Sequence, residues 1–488
     1  MSATAVPYAQ PLGLALLVAI AMIGVRLALL ALQWKNQRGE FLNEKGQRIK
    51  EITVDVRLWK FVQSLELSQR GQQLAGEEPY LIRSGPYCEL VISQPEHVHA
   101  FYEHDAKRHP KPKNLNLGEP FGRLAGNAVG TKYGDEWRRI RRYFDPPFVS
   151  PRAMENRSRF NVEIRQWIRA IAPAAETKVN VAAVFKFLTF RLLAIHLYGD
   201  AFDDRVYWRM LELNELHEGV IRDLLASRWP DSKLYNCLPT AANRKACSYL
   251  SQWRDFNRTI IEHARGGGWT CPVEVIYRGV DPDRVIREDE FLATLDEILF
   301  TNVDVSSKVL SMLFTQLAQK PSIQDALRAE IKASKGDPNL GEAKYVLKTD
   351  TLLNRVVMES MRMSPAFWFS MPESTAEPKK IGGYLVPADT PVIIDARRLN
   401  SKAATWGAHS ADFDPDRFLG ISPDRLRCGF MRFGAGAASG RCLGKNVADL
   451  VFKLVTIAAL ETFALRSLPR GEKGQIDDTD IELSRLAA

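Results

Sequence analysis

The stretch FGAGAASGRCLGKNVADL, residues Phe433 to Leu450, decides the reading of this chain. It begins with small, flexible residues, carries one cysteine, and runs into an amphipathic segment. A thiol on a loop that leads into a helix has its thiolate form stabilised by backbone N–H groups and the helix dipole. Gly434, Gly436, Gly440 and Gly444 allow backbone paths that other residues resist, and close approach to a flat ligand. One thiolate with no His or second Cys beside it suits a metal that brings its other ligands along. Haem iron, with four porphyrin nitrogens and one axial thiolate, is such a metal.

The rest of the chain must be large enough to enclose that group. It has 488 residues, 45% hydrophobic and 25% charged, which is ordinary globular composition. Length alone suggests about three domains; one large fold plus an anchor is the alternative. The net charge of +8 fits an acidic protein partner, an anionic membrane surface or nucleic acid. No Lys/Arg-rich block is interleaved with aromatics, which argues against nucleic acid. Cys88, Cys237, Cys247, Cys271, Cys428 and Cys442 form no CxxC pair. That argues against a zinc cluster and a disulfide framework, and for a reducing compartment.

The N-terminus is different. Pro11 to Gln33 is almost wholly apolar, with Arg26 as its one charge, and is long enough to span a bilayer. Lys35, Arg38, Lys45 and Arg48 follow it and no charge precedes it, which places the body on the cytosolic side. The expected division is a transmembrane anchor over 1–33 and one domain over 34–488. A buried hydrophobic helix is the alternative for 11–33.

Residues 34–70 have helical character. Pro79 to Ser93 holds two short apolar runs joined by Ser-Gly-Pro and reads as two strands. Residues 96–109 look helical, and 110–130 read as a long loop. From Asp135 to about Ser334 helix dominates, with breaks at Pro146-Pro147, 172–175, 229–239 and 266–272. Phe291 to Leu317 forms one long apolar-periodic helix. Its middle, Thr301 to Ser307, is a polar, β-branched patch, the kind of local conflict that marks a site. Another helix covers about Thr349 to Met363, and Ile381 to Ile394 reads as strands. The fold class is mainly α with small β-sheets.

FGAGAASGRCLG resembles the haem-binding loop of the cytochrome P450 family, Phe-x-x-Gly-x-Arg-x-Cys-x-Gly. Phe433 and Gly436 match its first half, Cys442 and Gly444 its second. Two extra residues separate the halves, and Arg441 directly precedes the cysteine. Other family marks follow in order. Glu359-Ser360-Met361-Arg362 resembles the ExxR motif, whose i, i+3 pair shares a helix face. Phe413 to Phe418 resembles the segment whose arginine, here Arg417, joins that pair. Trp137 and Arg141 resemble the WxxxR helix that meets a haem propionate.

The resemblance implies a P450 fold, with haem b buried between the long central helix and the Cys442 loop. Cys442 is then the axial ligand and the metal site. Phe433, Trp137, Arg141, Arg441, Gly436 and Gly444 are cofactor-binding; Glu359, Arg362 and Arg417 are structural. Asp304 is implied as the acid that relays protons from water. Val305 stands where the family usually has the oxygen-activating Thr, and Ser306 is next along. Glu373 occupies a place where many relatives have a propionate-binding Arg; Lys132 and Arg432 are candidate substitutes. Phe367, Trp368, Phe369 and Phe300 are implied to line the substrate pocket.

The implied activity is monooxygenation of a small organic molecule, in the manner of fungal enzymes of secondary metabolism. Electrons would come from NADPH through a separate cytochrome P450 reductase, with cytochrome b5 as a further partner. The membrane would be that of the endoplasmic reticulum. Three rivals stay open: oxidative coupling, desaturation or ring formation without net hydroxylation; a haem sensor or carrier with a second protein axial ligand; and a hydrolase using Cys442 as nucleophile. The last needs a base beside the thiol, which the motif lacks.

Overall fold

A computed structural model describes residues 41–85, 87–171, 176–226, 232, 235–436, 440–468 and 479–486, together with Ala21 and residues 24–26. The expected anchor over 11–33, and its boundary with the following domain, therefore lie almost wholly outside the described residues.

The described chain is mostly helical, with three small sheets. Strands β1 (Lys50–Thr53), β2 (Tyr80–Ser84), β3 (Tyr87–Ile92), β8 (Pro391–Ile394) and β5 (Glu373–Ser374) form one sheet in the order β1-β2-β3-β8-β5. β2 and β3 are antiparallel, with Tyr80 opposite Val91 and Ser84 opposite Tyr87, as the Ser-Gly-Pro junction predicts. β3 then runs parallel to β8. Alternation sorts the side chains onto two faces: Leu81, Leu90, Ile92, Val392 and Ile394 enter one cluster, and Tyr80, Ile82, Val91 and Ile393 the other. A sheet apolar on both faces must be covered on both. β4 (Glu176–Asn180), β10 (Asp480–Arg485) and β9 (Phe463–Ser467) form a three-stranded antiparallel sheet, and β6 (Lys379–Ile381) pairs with β7 (Tyr384–Val386).

The main core lies among the helices. The Val181–Tyr198 helix is apolar almost all round and packs lengthwise on the Thr301–Ala318 helix. Asn180 caps its start by accepting the Ala183 N–H, and Gly199, at φ 53, ends it. Leu188, Leu192, Ile195 and Leu197 on it are fully buried, and each such side chain contributes about 1.5–3 kcal/mol. Among the described residues, Val181–Ala201 is also the one stretch long and apolar enough to cross a bilayer. With 61% of that window buried inside the protein, it is a core helix.

Four local expectations are corrected. Residues 41–53 are not helical: a turn at 44–46 leads into strand β1, where Ile52 points inward and which runs parallel to β2. The 110–130 loop contains a short helix, Glu119–Ala125, with Pro120 in its first turn, where its missing N–H costs nothing. The break expected at Pro146-Pro147 falls just after them: the pair occupies the last turn of the Gly134–Phe148 helix, which ends at the extended Val149, as residues without an N–H donor would have it. The long helix is two helices, Glu288–Leu299 and Thr301–Ala318, meeting at Phe300.

Candidate active site around Cys442

The loop before Cys442 folds back on itself. Gly434 and Arg441 form a β-bridge, and the Cys442 N–H donates to the Phe433 carbonyl at 2.9 Å. Phe433, Gly434 and Gly436 have φ of 58°, 86° and 69°. A Cβ on Gly434 would sit 2.0 Å from the Gly440 carbonyl, and one on Gly436 2.1 Å from the Tyr102 ring. The motif's glycines are thus required by contact as well as by dihedral. Arg441 turns its Nε back onto the Gly436 carbonyl at 3.0 Å and is exposed. Residues 437–439 of this loop lie outside the described residues.

Gly444 stands at the N-terminus of the Lys445–Thr462 helix, and its N–H donates to the Cys442 sulfur. The thiol is accessible to solvent, yet burial pushes its pKa up. It therefore opens on an internal recess. The Gly444 N–H and the Arg141 guanidinium favour the thiolate; Glu297 opposes it. No group of three or more His, Cys, Asp or Glu that could hold a metal ion occurs among the described residues. The donor set is one thiolate braced by a backbone N–H. It fits haem iron, which carries its own four nitrogens, and not an ion that the protein must coordinate alone.

The Phe300 joint explains the polar patch. The Asn302 side chain donates to the Ile298 carbonyl at 2.7 Å and the Glu297 carbonyl at 3.4 Å. These carbonyls belong to the turn where the ladder is interrupted, so a side-chain amide replaces backbone donors. Thr301, Asp304 and Lys308 share one exposed face of the Thr301–Ala318 helix, while Val303, Ser307 and Leu310 are buried behind it. Asp304 lies 3.7 Å from Lys186 of the core helix, which also bonds Glu218 at 3.1 Å. Val305 and Ser306 are half-buried, and the Ser306 hydroxyl has no hydrogen-bond partner among the described residues.

Cations and acids meet beside the loop. Arg141 stacks on Trp137, 5.0 Å from the ring centroid, and its Nε donates to Asp145 at 2.5 Å. Glu297 accepts the Gly130 N–H at 3.0 Å and is held protonated more strongly than usual by burial. Glu373 is buried: Tyr102 donates to one oxygen at 3.0 Å and Lys111 lies 3.8 Å from the other. The cation at Glu373 is therefore Lys111, which sequence reasoning missed. Of the two propionate candidates named from the sequence, Lys132 bonds the Gly126 carbonyl and Arg432 pairs with Asp449 at 3.4 Å.

Glu359 and Arg362 form a buried bidentate pair, at 2.7 and 2.8 Å. Arg417 joins it at 3.3 Å and spends its other donors on the carbonyls of Trp406, His409 and Asp412. These bonds, with that from Arg362 to the Asn400 carbonyl at 3.0 Å, tie the Leu352–Met363 helix to residues 400–417.

Of the four aromatics expected to line a pocket, two belong to the core. Phe300 is packed among Phe190, His217, Tyr249 and Trp253, because the joint turns it away from the exposed face. Phe369 is buried against the sheet. Phe367 and Trp368 are half-buried. Lys308 and Arg397 both lie over the Trp368 ring, at 5.7 and 5.3 Å from its centroid. Helical spacing from Thr301 and Asp304 could have flagged Lys308; nothing in the sequence distinguishes Lys186 or Lys111 from surface lysines.

Comparison with known proteins agrees with this geometry. The family model described as Cytochrome P450 matches residues 67–487. The chain is 55% identical to the cytochrome P450 monooxygenase opdB of Penicillium oxalicum, over 92% of this chain and 90% of that protein. It is 41% identical to the cytochrome P450 monooxygenase apdB of Emericella nidulans, over 94% of each. Against the cytochrome P450 monooxygenase lepD of Aspergillus flavus it is 39% identical, over 91% of this chain and 90% of the relative.

Proposed function

Because this chain belongs to the cytochrome P450 family and is a monooxygenase of it, we propose that it binds haem b through Cys442 and oxidises a small secondary metabolite. The observation that carries this reading is the Cys442 thiol, accessible in an internal recess and braced by the Gly444 N–H. Cys442 would be the axial ligand, and Arg141 and Lys111 would hold the propionates, with Trp137 supporting Arg141. When bound, the haem iron supplies dioxygen activation and one-electron redox chemistry.

The chain's own residues prepare that chemistry. The Gly444 N–H and Arg141 favour the thiolate form that a bound metal cation would require. Gly444 then holds the thiolate in place. Asp304, facing Lys186, which also bonds Glu218, would accept and pass on protons at its carboxylate; these three groups link the recess face to the Asp204–Leu225 helix. Ser306 offers a hydroxyl with no partner among the described residues as the second proton-handling group. Electrons come from NADPH through cytochrome P450 reductase, with cytochrome b5 as a further donor. Residues 1–33 anchor the domain on the cytosolic face of the endoplasmic reticulum.

The test is the absorption spectrum of the dithionite-reduced protein under carbon monoxide. Wild type is expected to show the red-shifted Soret band of a thiolate ligand, and Cys442→Ser to lose it. Folded, haem-supplied wild type without the band overturns the reading. Val305, in place of the usual Thr, favours a second outcome for the same site: coupling, desaturation or ring formation. Oxygen uptake matched one-to-one by hydroxylated product excludes it.

A further inference from the structure

Lys308 lies one turn beyond Asp304 on the accessible face of the Thr301–Ala318 helix. Its ammonium is folded onto neighbouring groups rather than extended into solvent. Nζ lies 3.3 Å from the Ala366 carbonyl and over the Trp368 ring. Burial alone pulls its pKa below the usual lysine range, with no carboxylate raising it. Asp304 is the only acid in this helix, and it is turned to Lys186. No carboxylate lies within ion-pair distance of Lys308 among the described residues. A half-desolvated ammonium with one carbonyl contact retains two donors and an uncompensated charge. Arg397 on the same ring deepens the local positive potential.

We propose that Lys308 and Trp368 form an oxyanion subsite, so that the substrate carries a carboxylate or other delocalised oxyanion next to a flat apolar part. The oxyanion pairs with Nζ and the flat part lies against the indole. The subsite rests on the haem-thiolate reading of Cys442, because that reading makes this helix face the substrate side. It adds the substrate's charge, which the family does not specify.

The probes are indole-3-acetate and its uncharged amide, indole-3-acetamide. Each is measured by equilibrium dialysis against the full, haem-loaded chain. Wild type is expected to bind the acid at least about tenfold more tightly than the amide, equivalent to about 1.4 kcal/mol. Lys308→Met should abolish the preference and leave amide binding within about twofold, while Lys308→Arg retains it. Lys308→Gln, which keeps a polar donor without the charge, must behave as Lys308→Met does. Equal binding of the two probes to wild type, undetectable binding of the acid, or a preference that survives both neutral variants overturns the subsite. The carbon monoxide band is recorded on the same samples. Its presence with no acid preference removes the subsite alone; its absence from wild type removes the haem reading as well.

Discussion

Glu373 puts a carboxyl group where the family resemblance implies an arginine. It is buried, accepts the Tyr102 hydroxyl and faces Lys111, yet burial dominates and raises its pKa. The native state therefore holds this proton more tightly than the unfolded chain does. Between the ordinary carboxylate range and the raised native value, the folded protein binds more protons, so its stability falls as pH rises. Glu373→Gln removes that loss. Its thermal midpoint should exceed that of wild type by a margin that grows from pH 5 to pH 8; a margin independent of pH would show that Glu373 does not titrate this way. Glu297, raised for the same reason, is present in both proteins and cancels. At this scale the Glu359, Arg362 and Arg417 cluster was legible, because its residue types and spacings are demanding. Lys111 was not, since its significance is its distance to a residue 262 positions away (373 − 111).

The joint at Phe300 is a property of two helices and one side chain. Asn302 satisfies carbonyls that the interrupted ladder leaves without backbone donors. Asn302→Ala strips that donor from two interior carbonyls, at about 1–3 kcal/mol. Alanine's better helix propensity offsets about 0.5 kcal/mol, so a net loss of about 1–2 kcal/mol is expected in urea unfolding. An alanine variant as stable as wild type would show that another group holds the turn open. The polar patch was legible in the sequence as a conflict within an apolar helix. Its resolution was not, because apolar periodicity runs unbroken through Phe300: the residue keeps helical dihedrals, φ −81° and ψ −37°, while the hydrogen-bond ladder around it changes.

Across the whole molecule, helices far apart in sequence are pinned by a few buried polar groups. His196 on the core helix is one. Its Nε2 lies 3.0 Å from the Pro147 carbonyl and its Nδ1 3.1 Å from the Asn156 amide, so Nε2 carries the hydrogen and donates. Burial lowers its pKa to about 4. The unfolded chain takes up a proton near pH 6.5 that the native state refuses, so stability present at neutral pH is lost as pH falls from about 6.5 through about 4. The loss reaches about 3 kcal/mol. The urea midpoint of wild type should fall over this range more steeply than that of His196→Gln; parallel curves would remove His196 as the cause. What the sequence by itself determined is the glycine-rich loop before Cys442, the buried pair and its third arginine, the helical class and the hairpin of β2 and β3. Each follows from local spacing, dihedral preference or periodicity. Only the tertiary structure decided which cation faces Glu373, which aromatics leave the recess for the core, and that no carboxylate among the described residues lies within ion-pair distance of Lys308. Those outcomes depend on distances between segments that only the packed core brings together, and burial then sets the charge state each group can hold.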